Sequence, residues 1–351
     1  MNKALQLAQK LCEQHSLTVS EYAQLIIERN EEARLFLQKA ADEKRKSIYG
    51  NQIYIRGLIE ISNICKNNCY YCGIRRDNTA CDRYRLTPAE ILACCAQGYA
   101  LGFRTFVLQG GEDGFFTDAI LCDLIAEIKK RYPSCAVTLS LGERSKESYQ
   151  RLYDAGADRY LLRHEAKSPR LYAALHPSEL SLQHRLDCLQ ALKDIGYQVG
   201  CGFMVGAPYQ TAEDLAEDLK FIEAFRPQMC GIGPFVPHQH TKFKNEPAGT
   251  AELTCYLLSV IRLIYPSILL PATTALGTID AHGRGNGILS GANVVMPNLS
   301  PPRVREKYAL YDHKLCTGAE SATERQKLEQ LMETIGFQVV THRGDIQYEK
   351  L

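Results

Sequence analysis

Residues 53–72 read IYIRGLIEISNICKNNCYYC. Residues 53–64 are β-branched and apolar almost without interruption, as in a parallel strand buried on both faces. Three cysteines follow at once, Cys65, Cys69 and Cys72, in the spacing C-x3-C-x2-C. A strand that stops, and a short loop that turns back with three thiols, forms a cup for three irons. A cubane [4Fe–4S] cluster has four irons, and a structural cluster takes four cysteines. One iron is then left open, and an open metal position admits an exogenous ligand. A zinc site completed by a distant residue is the competing reading.

Working outward, Thr87-Pro88-Ala89-Glu90 carries the signals of a helix start: a Thr cap, Pro at the first helical position and Glu three residues after the cap. A repeated unit then appears, in which a helix ends near a glycine and an apolar strand follows: LGFRTFVLQ (101–109), AGADRYLLR (155–163) and IGYQVGCGFMVG (195–206). Glycine there suits a left-handed C-cap. Further β-like runs fall at 136–141, 230–236, 268–273 and 292–296, with helix starts at Ser168-Pro169 and Thr211-Ala212-Glu213-Asp214. About eight strands alternating with helices predict an α/β fold, a complete (β/α)8 TIM barrel; a doubly wound open sheet is the runner-up. Residues 1–48 predict an N-terminal helical layer, with Ser20 capping a helix over 21–29 and a further helix over 32–47. Residues 49–318 form the barrel. Residues 319–351 form a C-terminal extension, a helix over 323–335 followed by a short strand over 337–341.

Net charge is +1, so electrostatics point to no nucleic-acid or membrane partner. No apolar run reaches the length of a membrane span, and residues 1–11 lack the apolar core of a secretory signal. The fourteen cysteines are scattered, which fits a reducing cytoplasm better than a disulfide framework. Cys94, Cys95, Cys122, Cys135, Cys188, Cys201, Cys230 and Cys255 lie in apolar contexts and read as small core residues.

Active sites of such barrels sit at the carboxyl ends of the strands. Gln109-Gly110-Gly111 ends the second strand, and its glycines let a backbone approach a ligand. Thr138 and Ser140 share one face of the third strand; bonding to neighbouring backbone is the plainer role for their hydroxyls. On the fourth, Arg159, Leu161, Arg163 and Glu165 share a parity that directs three charges inward, where they must be paired or used. His164 has the other parity and is expected to pack outside. Arg185, in the next helix, is placed to bind a carboxylate bidentately. Met204 suits an apolar wall. Thr273 and Thr274 with Gly277 suit an anion, and Tyr308 and Tyr311 follow the last strand. The run Gly283–Gly287 reads as a flexible loop first and a phosphate cradle second, and the proline-rich loop to Asn245 as a rim or lid.

The Cys triad, with aromatic Tyr71 before its third member, resembles the radical S-adenosylmethionine (SAM) superfamily, in which SAM chelates the fourth iron. IEISNICKNNCYYCGIRRDN (59–78) followed by RYRLTPAEI (83–91) is similar to its biotin-synthase-like branch. VLQGGED, VTLSLGE, ADRYLLRHE, GIGPFVPH (231–238), PATTALGTI (271–279) and GANVVMPNLSP (291–301) resemble the HydE family of [FeFe]-hydrogenase maturases, over roughly residues 50–316. Methylornithine synthase shares MPN and the Thr-rich endings, but GIRRDN and LRHE fit the maturase family better.

This resemblance implies a large internal cavity and one [4Fe–4S] cluster on Cys65, Cys69 and Cys72. It implies SAM contacts from Tyr71, Gln109, Glu165, Arg185 and Met204, with Gly110 and Gly111 at the amino group of the methionine moiety. Thr138, Ser140, Arg159, Thr273, Thr274, Tyr308 and Tyr311 would form the anion or substrate end, Arg159, Tyr308 and Tyr311 acting on the substrate. The implied activity is reductive cleavage of SAM to a 5′-deoxyadenosyl radical that acts on an organometallic iron–cysteine substrate carrying CO and cyanide. The implied partners are the tyrosine lyase HydG, the scaffold HydF, and a ferredoxin or flavodoxin as electron donor. A methylornithine-synthase-like enzyme and a non-catalytic iron–sulfur carrier are the alternatives. Some family members carry a second cluster on three C-terminal cysteines. Only Cys316 stands in that region here, so one cluster is expected and sulfur insertion is not.

Overall fold

A computed structural model describes residues 2–316 and 320–348. Three helices lead the chain: α1 Lys3–Gln14, α2 Val19–Ile27 and α3 Glu31–Tyr49. The alternating core follows as β1 Gln52–Ile55, β2 Gly57–Ser62, α4 Pro88–Ala100, β3 Thr105–Gly110, α5 Asp118–Arg131, β4 Ala136–Ser140, α6 Lys146–Asp154 and β5 Arg159–Leu161. It continues through α7 Pro169–Leu175, α8 Leu182–Ile195, β6 Gln198–Cys201, β7 Met204–Val205, α9 Ala212–Phe225, β8 Met229–Cys230 and β9 Gly233–Pro234. The last elements are α10 Ala251–Ile264, α11 Thr274–Ile279, α12 Gly283–Leu289, β10 Val294–Val295, α13 Pro302–Arg305, a 3-10 turn Ala322–Glu324, α14 Arg325–Thr334 and β11 Gln338–Val340.

Local chemistry explains most boundaries. Thr87 and Glu90 form a reciprocal capping box at the start of α4, with Pro88 in its first turn. Ser168 caps α7 and Thr211 caps α9. Gly102, Gly156 and Gly196 end their helices at φ of 86°, 110° and 108°. At α2 the cap is Thr18 and not Ser20: Glu21 returns the bond to the Thr18 N–H at 3.0 Å, and Ser20 lies inside the helix.

The strand expected over 53–64 is two strands. β1 pairs with β10 and β11, while β2 opens a six-stranded parallel sheet in the order β2-β3-β4-β5-β6-β8. The division falls at Arg56, which is 1% exposed. Parallel bridges continue from Met229 to Leu269, from Pro271 to Val294 and from Asn298 to Leu58. The runs over 195–206 and 230–236 are likewise each broken into two short strands, because Gly202 and Gly231 approach so closely that a Cβ on Gly202 would lie 2.1 Å from the Gly231 oxygen. Gly283–Gly287 is not a flexible loop: it opens α12. A Cβ on Gly283 would meet the Leu276 oxygen at 2.2 Å and one on Gly287 the Leu276 side chain at 2.9 Å, so these two glycines serve close packing against α11, and Arg284 is buried against Glu320.

The C-terminal extension is more than helical. β11 adds to β1, and the segment after it reaches the amino ends of the parallel strands. There Asp345 pairs with the buried Arg159 at 2.5 Å and with Arg343 at 2.7 Å. The expected boundary at 318/319 lies outside the described residues. Burial alone would raise the Asp345 carboxyl, but Arg343 and Arg159 hold it well below the usual range. Asp345→Ala is expected to lower stability at pH 7 by about 1–2 kcal/mol, allowing for screening of its partly exposed carboxylate. An unfolded Asp titrates near ~3.9, above the folded group, so this contribution is complete at neutral pH and declines below about pH 4. Urea unfolding of both proteins at pH 7 and at pH 3 should show the difference shrinking with acid.

Candidate functional site

Cys65, Cys69 and Cys72 stand on the loop after β2, and the surface they keep opens into a cavity of about 340 Å³. That size suits a small-molecule site. The loop is tied down from both sides. The Arg83 guanidinium donates to the carbonyls of Asn63 (2.6 Å), Ile74 (2.8 Å) and Arg75 (2.6 Å). The Asn63 amide donates to the carbonyls of Asp82 (2.9 Å) and Lys307 (2.7 Å). Burial raises all three thiols, Cys69 to about 12, with the neighbouring cysteines adding to the rise at Cys69 and Cys72. Metal binding here therefore releases protons. Among the described residues no three Cys, His, Asp or Glu side chains are grouped as a single-ion site.

The turn after β3 presses on this loop. A Cβ on Gly111 would lie 2.3 Å from the Ile64 oxygen and 2.7 Å from the Cys65 Cβ. The Glu112 N–H donates to Cys65 Sγ at 3.4 Å, and Glu112 accepts the Lys66 N–H at 3.0 Å. The donor set and the glycine turn fit a cluster with room beside it.

The remaining cavity wall comes from successive strand ends. Gln109, Gly110, Gly111, Ser140, Glu165, Met204, Thr273, Thr274, Tyr308 and Tyr311 all line it, together with Tyr71 and Arg185. Gln109 donates to the Tyr308 hydroxyl at 3.4 Å, and Thr274 to Glu320 at 2.8 Å. Burial raises the hydroxyl pKa of both Tyr308 and Tyr311. Glu165 sits at φ 63°, a backbone strain found where surrounding structure holds a functional side chain. Arg185 donates to Glu143 at 2.5 Å and to the Arg163 carbonyl at 2.6 Å. Burial alone would lower its pKa; Glu143 more than offsets this and keeps it charged.

On this wall Arg163 Nη2 and Glu165 Oε2 pair with each other at 3.0 Å. Thr273 Oγ1 and Arg163 Nε beside them are buried without a hydrogen-bond partner. Such atoms are costly to leave unpaired. They fit a polar ligand, as SAM is.

Two expected site residues lie elsewhere. Arg159 and Thr138 are register partners one layer below the cavity, among the residues around a small void toward the amino ends of the parallel strands. Arg159 is engaged there by Asp345, Gln198 and Thr105, so it is a structural cation and not a wall of the cavity. The Thr138 hydroxyl is buried and unpartnered, not bonded to nearby backbone.

Among the charged wall residues, Glu60, Glu112 and Lys314 were not anticipated as ligand-facing. Glu60 is 0% exposed within β2 and is held by Lys314 and by the Asn298 amide at 2.8 Å. Its signal was a lone acid inside an apolar strand. His164 packs outside as its parity predicts, 3.0 Å from Asp218. Burial lowers the imidazole to about 3 and raises the carboxyl.

Residues 59–222 match the family model of the Radical SAM superfamily. The chain is 46% identical over 280 residues to the [FeFe] hydrogenase maturase subunit HydE of Thermotoga maritima, covering 80% of each. Its structure is similar to that of methylornithine synthase (PylB), with a TM-score of 0.83 at 24% identity, covering 95% of this chain and 97% of the other. It is also similar to that of HydG, a maturase of the [FeFe]-hydrogenase, with a TM-score of 0.77 at 20% identity, covering 96% and 76%. These two structural likenesses are of fold.

Proposed function

Because the chain belongs to the HydE family of radical SAM [FeFe]-hydrogenase maturases, we propose that it carries one [4Fe–4S] cluster on Cys65, Cys69 and Cys72 and binds SAM in the cavity beside it. Its substrate is an iron-bound cysteine precursor carrying CO and cyanide, processed in assembly of the H-cluster. HydG supplies that precursor, HydF receives the product, and a ferredoxin or flavodoxin in the cytoplasm supplies the electron. The observation that carries this reading is the convergence of three thiols, a glycine turn and unpartnered buried polar atoms on one cavity.

When bound, the cluster and SAM together supply a 5′-deoxyadenosyl radical. The protein's part is binding, orientation and exclusion of water. Gly110 and Gly111 bring backbone close to the methionine moiety. Among the described residues Arg185 has partners on two of its nitrogens, and the third takes the SAM carboxylate. Glu165 accepts from the ribose hydroxyls, while Met204 and Tyr71 supply the apolar wall. Ser140, Thr273, Thr274, Tyr308 and Tyr311 face the substrate, and Arg163 joins them. The eight strand positions close into a (β/α)8 barrel, a reading supported by the parallel bridges that return from Asn298 to Leu58. Residues 2–48 form a helical layer on that barrel, and residues 320–348 belong to an extension that plugs its floor.

Reconstituted protein given SAM and dithionite is expected to release methionine and 5′-deoxyadenosine. A cluster-loaded sample that releases neither would leave only a carrier role. Turnover that depends on lysine would move the assignment to a methylornithine-synthase-like enzyme.

A further inference from the structure

The end of α7 grips the cysteine loop at two points. The Tyr70 N–H donates to the Leu175 carbonyl at 3.0 Å, and the Tyr71 hydroxyl lies 3.2 Å from His176 Nε2. His176 is the helix's C-cap, in extended conformation at φ −128°, and Pro177 after it prevents continuation. Its ring is 2% exposed and held on both sides. It stacks on Tyr172 with centroids 4.0 Å apart and meets Tyr71 edge-on at 5.4 Å.

The hydrogen bonds fix the proton. His176 Nδ1 is 2.9 Å from the Tyr172 carbonyl, which can only accept. Nδ1 therefore carries the hydrogen, Nε2 is left as acceptor, and the Tyr71 hydroxyl must donate to it. Burial lowers this imidazole to about 3, which agrees with a neutral ring. Tyr71 stands between Cys69 and Cys72 and lines the cavity. A group that fixes its hydroxyl and ring plane also fixes the wall next to the open side of the thiol triad.

We propose that His176 is a positioning residue for SAM, acting through Tyr71. It holds the Tyr71 ring against the SAM site, and with the Leu175 carbonyl it clamps residues 70–71 of the loop. This role rests on the SAM-binding function proposed above.

The test is a double-mutant cycle between Tyr71→Phe and His176→Phe, with His176→Gln as the variant that keeps an acceptor. Each Phe variant is expected to raise KM for SAM about five- to tenfold with kcat nearly unchanged, the loss of one buried hydrogen bond. The double variant should be no worse than either single one, because both remove the same contact. His176→Gln should recover most of the loss. A second readout needs neither cluster nor activity. In 15N-histidine spectra of the apoprotein, His176, assigned by its absence in His176→Phe, should appear as the neutral Nδ1–H tautomer, and its Nε2 resonance should shift in Tyr71→Phe. Additive effects, an unchanged KM, failure of Gln to rescue, or an Nε2–H tautomer would each overturn the proposal. If cluster-loaded wild type cleaves no SAM, the function falls, while the tautomer and its response to Tyr71→Phe still judge the clamp.

Discussion

Cys69→Ser is expected to abolish cluster binding and to lower SAM cleavage by more than about a thousandfold, because the three thiolates act as one unit. The substitution is nearly isosteric, and Cys69 lines the cavity without packing into the main core, so the fold should persist. Three features make the loop a poor site once a ligand is missing. Its thiols are buried enough that Cys69 alone titrates only near about 12. Their deprotonation is driven by the metal they bind, and each bond lost leaves less to offset that cost. The surrounding bonds from Arg83 and Asn63 fix the loop backbone, so it cannot rearrange to bring another donor into the place of the sulfur. Iron analysis and the visible absorption band, measured beside far-ultraviolet circular dichroism, separate loss of the cluster from loss of the fold. A retained band would reassign the ligands.

Gly111→Ala should be nearly as damaging. The added methyl would meet the Ile64 oxygen at 2.3 Å, and that atom belongs to the backbone, so no rotamer change relieves it. Either the glycine turn or the cysteine loop must move, and the Glu112 N–H to Cys65 Sγ bond at 3.4 Å is lost in both cases. Expected are a stability loss of about 1–3 kcal/mol and at least about a tenfold fall in iron retained after desalting. Gly114, three residues on, has nothing within 4 Å of a Cβ, so Gly114→Ala is the matched control and should behave as wild type. Equal iron retention in the two variants would show that the turn does not support the cluster loop.

What could be read from the sequence follows from the range of the interactions involved. Caps and C-terminal glycines are local, and Thr87-Pro88-Glu90 and Gly102 lie where their chemistry requires. Parity on a strand is also local, so the inward face of Arg159, Arg163 and Glu165 was legible. Depth was not. Successive residues on one face stand about 6.5 Å apart along the strand, so that face runs through several layers beneath the cavity. Arg159 and Thr138 therefore end near the floor, while Arg163, Glu165 and Ser140 open on the cavity. Asp345, the charged partner in the lower layer, is 186 residues away. The same reach hides Glu60, whose partner Lys314 lies 254 residues on, and His176, 105 residues from Tyr71. The glycines of α12 misled for a different reason: the missing side chain that lends freedom to a loop also permits the closest helix packing.

The open iron is the claim on which everything else depends, and Mössbauer spectroscopy of 57Fe-reconstituted protein with and without SAM tests it most directly. One iron of the four should be distinguishable and should change its isomer shift when SAM is added, while the three held by Cys65, Cys69 and Cys72 stay as they were. Four equivalent irons indifferent to SAM, or a site that takes up zinc in their place, would contradict the account.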